Sequence, residues 1–446
     1  MDITSFRTPG LGDQTHLLVH DGHGILVDPQ RDISRFLDTA ERQGVHVRFV
    51  LETHLHNDYV SGARDAARAT GAELVLPAAT APAYRHTPAF HLEDITGPSG
   101  LTVRPLHTPG HTPEHTSYLI LLDGEPAAVF SGGSLLVASA GRPDLLGPER
   151  ARTLARLQHG SLRRLAGLPG DVRLLPTHGE GSFCTVTGAG RHTSTIADEL
   201  TGNPLLAIPD AERFADQILA EPLPIPAFYR HMGPANLYGA PPMPPVSAPA
   251  LRPEDLAALP EGTRLVDIRP RARQAAGILP GSTPVELRDD FGSWVGWLVP
   301  YGTPIALVAD PGQDAEEALT QLARIGVDTV VGVLTDAGPA AALQTFELLE
   351  LPAFAERLAA PDAQLLDVRA PGEHAAAPLP GAVHRYLPDL YAEGVPDRLD
   401  PARPVLVACG SGRRAAIATG PLLAEGHRPV VLTGAGVADL AGLRAA

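Results

Sequence analysis

Apolar residues in the first 200 positions gather in short runs: "THLLVH", "GILVD", "VRFVL", "LTVRPL", "SYLILL", "PAAVFSG" and "VRLLPT". Runs of that length, rich in β-branched residues, predict strands. Between them "DISRFLDTAERQG" and "ERARTLARLQHGSLRRLAG" space their apolar positions as helices do, so the region reads as mixed α/β. The pattern then stops. Residues 221–253, "EPLPIPAFYRHMGPANLYGAPPMPPVSAPALRP", are so rich in proline that neither a regular helix nor a central strand is expected there, and a linker is predicted.

Past the linker the chain repeats itself at an offset of 100 residues. "RLVDIR" (264–269) falls on "QLLDVR" (364–369), Asp267 on Asp367, Arg269 on Arg369, and "LPG" (279–281) on "LPG" (379–381). Each copy continues through an apolar strand ("IALVA", "VLVAC"), a helical stretch and a further strand ("TVVGVL", "PVVLTG"). A unit this long is a domain and not a solenoid repeat. The predicted organisation is a domain over 1–220, the linker 221–253, and two tandem α/β domains over 254–352 and 353–446.

Charge narrows the partners. Asp+Glu number 51 against 35 Lys+Arg, a net charge of -16 with no long basic run, which argues against nucleic acid and against anionic membrane. Two cysteines far apart, Cys184 and Cys409, make no disulfide framework. The first residues, "MDITSFRTPG", have neither a basic nor an apolar targeting region, and no apolar run approaches the roughly 20 residues that span a bilayer. A cytoplasmic protein is expected.

Candidate metal ligands follow three of the predicted strands. "ETHLHNDYVSG" places His54, His56 and Asp58 after "VRFVL", "HTPGHTPEH" places His111 after "LTVRPL", and "PTHGEGSFC" places His178 after "VRLL". Turns at strand ends can converge on one ion without burying a charged group in the core. His107, His111 and His115 are spaced like one helical face, but Pro109, Gly110 and Pro113 exclude a helix; in a tight turn one or two of the three can reach a metal, with His111 taken as the ligand and the others, His115 among them, as neighbours or surface residues.

These motifs resemble the metallo-β-lactamase fold, an αββα sandwich, in "THLHNDY", "TPGHT", "FSGGSLL" and "PTHG". "THLHNDYVSG", "PGHTPEHTSY" and "GRPDLLG" are most similar to its persulfide dioxygenase branch, which includes fusions to rhodanese domains. That resemblance implies one iron held by two His and one Asp, with His54 and His111 as the histidines. Two departures matter: Tyr59 stands where binuclear members have a His, and Gly133 where the family has its Asp ligand. One divalent ion is expected, Fe(II) or Zn(II), with no organic cofactor. The third ligand is left among His56, Asp58, His178 and water, with an empty site as the alternative. Arg142 and Asp144 in "GRPDLLG" are expected to pair, or Arg142 to meet the carboxylates of a thiol substrate.

The second cysteine carries a different chemistry. "VLVACGSGRRAAIATGPLLAEG" reads as a strand, a loop opening at Cys409, and a helix. Backbone N–H groups of Gly410, Ser411, Gly412 and Arg413 can point at the sulfur, and Arg414, one turn into the helix, adds positive charge. The pattern resembles the active-site loop of rhodaneses, as "LLDVR" and "LPGAVH" resemble that fold's other landmarks. The resemblance implies that Cys409 carries a sulfane sulfur as Cys–S–SH. At the 100-residue offset Cys409 falls on Ala309 and Arg414 on Asp314, so the first copy is expected to be inactive.

The combined expectation is an α/β protein: a metallo-β-lactamase-type αββα sandwich followed by two rhodanese-like domains, coupling persulfide oxidation to sulfur transfer. Its partner would be a low-molecular-weight thiol or persulfide such as glutathione, and a homo-oligomer is compatible with the sequence. Two other readings stand beside it: a metal-dependent thioesterase similar to glyoxalase II, and a non-catalytic thiol-binding or docking module serving the rhodanese.

Overall fold

The computed structural model describes residues 1–179, 182, 184, 191–220, 223–336, 342–361 and 363–445. The chain divides into two compact units, Met1–Pro244 with Ala323–Gly326, and Pro245–Leu322 with Val327–Ala446.

In the first unit six strands pair in chain order: Asp2–Thr8, Asp13–His20, His23–Val27, His46–Leu51, Glu73–Pro77 and Thr87–Ala89. A second six-stranded sheet has Glu125–Gly132 parallel to Arg173–Pro176 on one side and antiparallel to Thr116–Leu122 on the other, with Leu101–His107 beyond. Side chains alternate between two cores, as the two-residue period of a strand requires. Leu18, Ile25, Phe49, Ile120 and Phe130 meet between the sheets. Their neighbours Leu17, Leu26 and Val50 pack outward on Phe36 and Ala66 of helices Ser34–Arg42 and Ala63–Thr70. On the far side Leu119, Leu121 and Val129 pack on Leu162 and Leu165 of helix Pro148–Ala166. Helix, sheet, sheet, helix is the αββα sandwich, and each fully buried leucine stabilises it by about 1.5–3 kcal/mol.

One expectation fails. Within the stretch read as linker, Tyr229–Tyr238 is a helix with Pro234 inside it. Proline removes one backbone bond, to the carbonyl of Arg230, but both residues are exposed and water can replace it. Tyr229, Met232 and Asn236 are buried at helical spacing and hold the segment down. Residues 221 and 222, where the predicted linker begins, lie outside the described residues.

The second unit contains two five-stranded sheets whose described pairings are all parallel. One runs Ala250–Leu251, Val330–Leu334, Ile305–Val308, Arg264–Asp267, Thr283–Pro284; the other runs Glu347–Glu350, Arg428–Thr433, Pro404–Ala408, Gln364–Asp367, Val383–His384. The order is the same, and the strands Ile305–Val308 and Pro404–Ala408 are apolar runs buried at every position but Pro404, as a parallel sheet covered on both faces demands. The offset extends to side chains. Arg269 donates to Asp267 and to the Gly277 carbonyl (2.7 Å), and Arg369 donates to Asp367 and to the Ala377 carbonyl (2.7 Å). Among the described residues no helix is long and apolar enough to cross a membrane.

Candidate metal centre and cysteine loop

Five strands of the first unit end at one edge of the sandwich. Val27 is followed by Asp28, Leu51 by the segment with His54, His56 and Asp58, His107 by the turn to His111, Gly132 by Gly133, and Pro176 by His178. The donor atoms of His54, His111 and His178 lie within 4.8 Å of one another. His54 Nε2 is 3.3 Å from His178 Nε2.

Each of these rings is fixed through its other nitrogen. His111 Nδ1 donates to the Arg142 carbonyl (2.9 Å), His178 Nδ1 meets Asp13 (2.8 Å), and His54 Nδ1 meets the Thr53 hydroxyl (2.9 Å). That arrangement leaves Nε2 as the inward donor. His111 Nε2 is buried without a hydrogen-bond partner, a cost unless an ion takes its lone pair. Burial, reinforced for His54 and His111 by neighbouring imidazoles, lowers the proton affinity of all three rings. Three neutral imidazoles aimed at one point fit a divalent metal.

His56 does something else. Its Nε2 is 3.3 Å from Asp28 Oδ1 and 3.1 Å from the Tyr59 hydroxyl, with Glu52 at 3.6 Å. Burial would depress His56, but Asp28 and Glu52 override it and push it up to about 9. Burial would likewise raise Asp28, yet the His56 charge and bonds from Thr53 and Thr177 bring it down to about 2. Tyr59 donates to the Asp28 carbonyl (3.2 Å) and stacks on the His56 ring, so it closes the ion pair. The three-histidine set of ligand spacing is formed by His54, His111 and His178, without His56. His56 still falls in two other buried groups with ligand spacing, Asp28–His54–His56 and His56–Asp58–His178.

Asp58 Oδ2 lies 3.4 Å from His178 and 3.5 Å from Cys184 Sγ, and Asp58 Oδ1 is buried without a partner. Burial and the adjacent carboxylates push the Cys184 thiol up, which favours the protonated form. His115 spends both nitrogens, on the Thr108 hydroxyl and on the Gly133 N–H (2.9 Å each). A Cβ at Gly133 would stand 2.2 Å from the His111 ring, so in this backbone the glycine is what admits His111. Arg142 pairs with both oxygens of Asp144 (2.8 and 2.7 Å) and donates to the Leu223 and Pro224 carbonyls. It holds loops together as the simpler expectation had it, and with its guanidinium so engaged it offers no charge to a substrate carboxylate.

Sequence reasoning missed Asp13, Asp28 and Asn236. Asp28 left a signal, an acid closing the apolar strand "GILVD", where it adopts a positive φ of 51°. Asp13 and Asn236 left none, because their partners are 165 and 180 residues away in the chain.

In the second unit Cys409 is fully buried at the end of strand Pro404–Ala408, and its carbonyl accepts from Val437 N–H (2.9 Å). Gly412 has φ 79°, and a Cβ there would meet the Leu432 carbonyl at 2.5 Å, so only glycine closes this loop. The helix begins at Arg413 and is short, Arg413–Ile417, which makes Arg414 its second residue and not one turn in. Glu373 binds the Arg414 guanidinium with both oxygens. Burial opposes the Arg414 charge, while Glu373 and Cys409 favour it.

Residues 10–178 match the Metallo-beta-lactamase superfamily. The hydroxyacylglutathione hydrolase of Acidiphilium cryptum (strain JF-5) is 30% identical over 239 residues, covering 48% of this chain and 93% of that protein. This chain belongs to the metallo-beta-lactamase superfamily. A probable metallo-hydrolase of Burkholderia pseudomallei (strain 1710b) is 30% identical over 242 residues, covering 46% of this chain and 80% of that protein. A metallo-beta-lactamase from Staphylococcus aureus superimposes with a TM-score of 0.67 at 26% identity, over 75% of this chain and 98% of that one. The metallo-beta-lactamase domain is followed by a rhodanese-like domain matched over residues 350–439.

Proposed function

We propose that this chain is a sulfur-handling enzyme with two centres: a mononuclear metal site that hydrolyses a thiol ester, and a cysteine that carries sulfane sulfur. His54, His111 and His178 would hold the metal, and the buried, partnerless Nε2 of His111 is the observation that carries this reading. When bound, a divalent ion supplies Lewis acidity that polarises a carbonyl and activates water. A three-histidine set without a carboxylate at position 133 suits zinc and hydrolysis, in keeping with the hydrolase relatives. The chain's own residues keep the geometry: Asp13 orients His178, the Arg142 carbonyl orients His111, and His115 anchors Gly133.

At the other centre the Cys409 thiolate attacks a sulfane sulfur, the new S–S bond forms as the donor's sulfite or thiol leaves with the old bonding pair, and an acceptor thiolate later takes the sulfur. Residues 254–352 are a second rhodanese-like domain in which Ala309 replaces the nucleophile. A second reading at the metal, oxygenation of a persulfide by iron, is favoured by "PGHTPEHTSY" and "GRPDLLG" and by the sulfur carrier on the same chain. It needs a carboxylate ligand, for which Asp58, with its partnerless buried oxygen, is positioned beside His178.

Metal analysis of the purified protein, combined with turnover, separates these readings. Zinc near one equivalent with thioester cleavage is expected. Iron with O₂ uptake on a low-molecular-weight persulfide establishes the second reading instead, and no stoichiometric metal leaves the domain as a docking module. Transfer from thiosulfate to cyanide should be abolished in Cys409→Ser; transfer that survives removes Cys409 from the mechanism.

A further inference from the structure

A pocket of about 520 Å³ opens beside the metal centre. Leu55, which separates His54 from His56, and Thr112, which follows His111, both line it. Its walls are otherwise dominated by Leu145, Leu146, Ile225, Pro226 and Ala227. Among the described residues lining it, Arg230 is the one cationic side chain, and Glu114 is the one acid. Glu114 is already used, accepting from Leu55 N–H (3.0 Å) and the Thr112 hydroxyl (2.8 Å). Arg230 is exposed at the rim and donates to the His231 ring (3.1 Å).

The other arginine near the site, Arg142, is 3% exposed and bound by Asp144 and two carbonyls. A tripeptide thiol with two free carboxylates would thus have one exposed arginine to receive two negative charges, against an apolar wall. A carboxylate taken from water without a partner costs several kcal/mol. An apolar substituent on sulfur, in contrast, gains from every part of that wall it covers.

We propose that the metal-site pocket selects a thiol derivative whose substituent is apolar and at most singly anionic, and discriminates against glutathione itself; Leu146 and Ile225 are its specificity-determining residues. This rests on the reading of the centre as one that takes a thiol-derived substrate. The atoms that react are common to all such thiols, so selection falls to the wall.

Titration calorimetry on the full chain as purified, with glutathione and with glutathione diethyl ester, tests this directly. The two probes share one thiol and one backbone and differ in the masked carboxylates. The ester is expected to bind about ten-fold or more tightly than glutathione. Leu146→Arg and Ile225→Arg should each remove most of that preference by giving the carboxylates a partner; Ile225 is 40% exposed, so its substitution leaves the core untouched, and circular dichroism verifies the fold. The proposal is overturned by glutathione binding as tightly as the ester, by no binding of the ester, or by an ester preference unchanged in the folded variants. Metal content and turnover are read separately. A preserved ester preference without metal or thioester cleavage refutes the catalytic reading and not the pocket's selectivity.

Discussion

His56 shows how one imidazole changes role through its surroundings. Its neighbours His54 and His178 are kept neutral by burial, whereas Asp28 and Glu52 hold His56 in the charged form, up to about 9. A histidine whose folded pKa lies above its unfolded value near 6.5 stabilises the fold fully below that value and loses the contribution as pH rises through 9. Metal-free protein should therefore lose stability between pH 6.5 and 9. His56→Gln should be less stable than wild type at pH 6 by about 3–5 kcal/mol, the usual cost of stranding one member of a buried pair, here Asp28. The difference should shrink toward pH 10. Urea midpoints of both proteins across that range, after chelation, check this; a difference independent of pH would remove the ion pair from the account. That His54 and His111 lie together at strand ends was legible from motif and strand position. The different surroundings of His56 and His178 were not, because they are set by Asp28 and Asp13, which come from distant strand ends.

Elements were legible where an apolar run sets the period. Every strand read from "THLLVH" to "VRLLPT" is present, since a central strand's burial pattern is written in its own residues. Helix Tyr229–Tyr238 was hidden because proline density outweighed a buried stripe of three residues. What fixes it is tertiary. Asn236 donates to the His56 and Tyr59 carbonyls (2.8 and 2.9 Å) and accepts from Ser61 N–H (2.8 Å), so it clamps the loop that carries the first two histidines. Asn236→Ala removes three buried bonds and strands two carbonyls and one N–H. The expected loss is about 2–4 kcal/mol of stability, and a metal affinity lowered by roughly ten-fold or more, the usual effect of disturbing groups that orient ligands. Chemical denaturation and competition with a chromogenic chelator measure the two effects. A destabilised variant with unchanged metal affinity would mean that the clamp does not orient the histidines.

Across the whole molecule, the two copies in the second unit form a controlled comparison in which strand order is shared and the residues of the loop after the central strand are not. The sheets have one strand order, the Asp–Arg pairs coincide, and Gly312 and Gly412 have the same φ of 79°. Backbone shape at that turn therefore does not distinguish the copies. Charge and donors do. In the first copy Asp310 N–H is taken by the Gln313 side chain (3.0 Å), Pro311 has no N–H, and Asp314 caps the next helix by accepting from Glu317 N–H (3.2 Å). Arg273 pairs with Asp310 (3.3 Å), where the second copy has Glu373 on Arg414. The loop after Ala309 thus carries two carboxylates and fewer free amide donors than the loop after Cys409. Restoring the nucleophile alone should fail. Ala309→Cys in a Cys409→Ser background is expected to transfer sulfur at least ~100-fold more slowly than the native loop, the scale of losing preorganised donors. Mass spectrometry after exposure to thiosulfate should find no persulfide on the new cysteine. Formation of that persulfide at the native rate would show that the loop's charge and amide pattern do not matter.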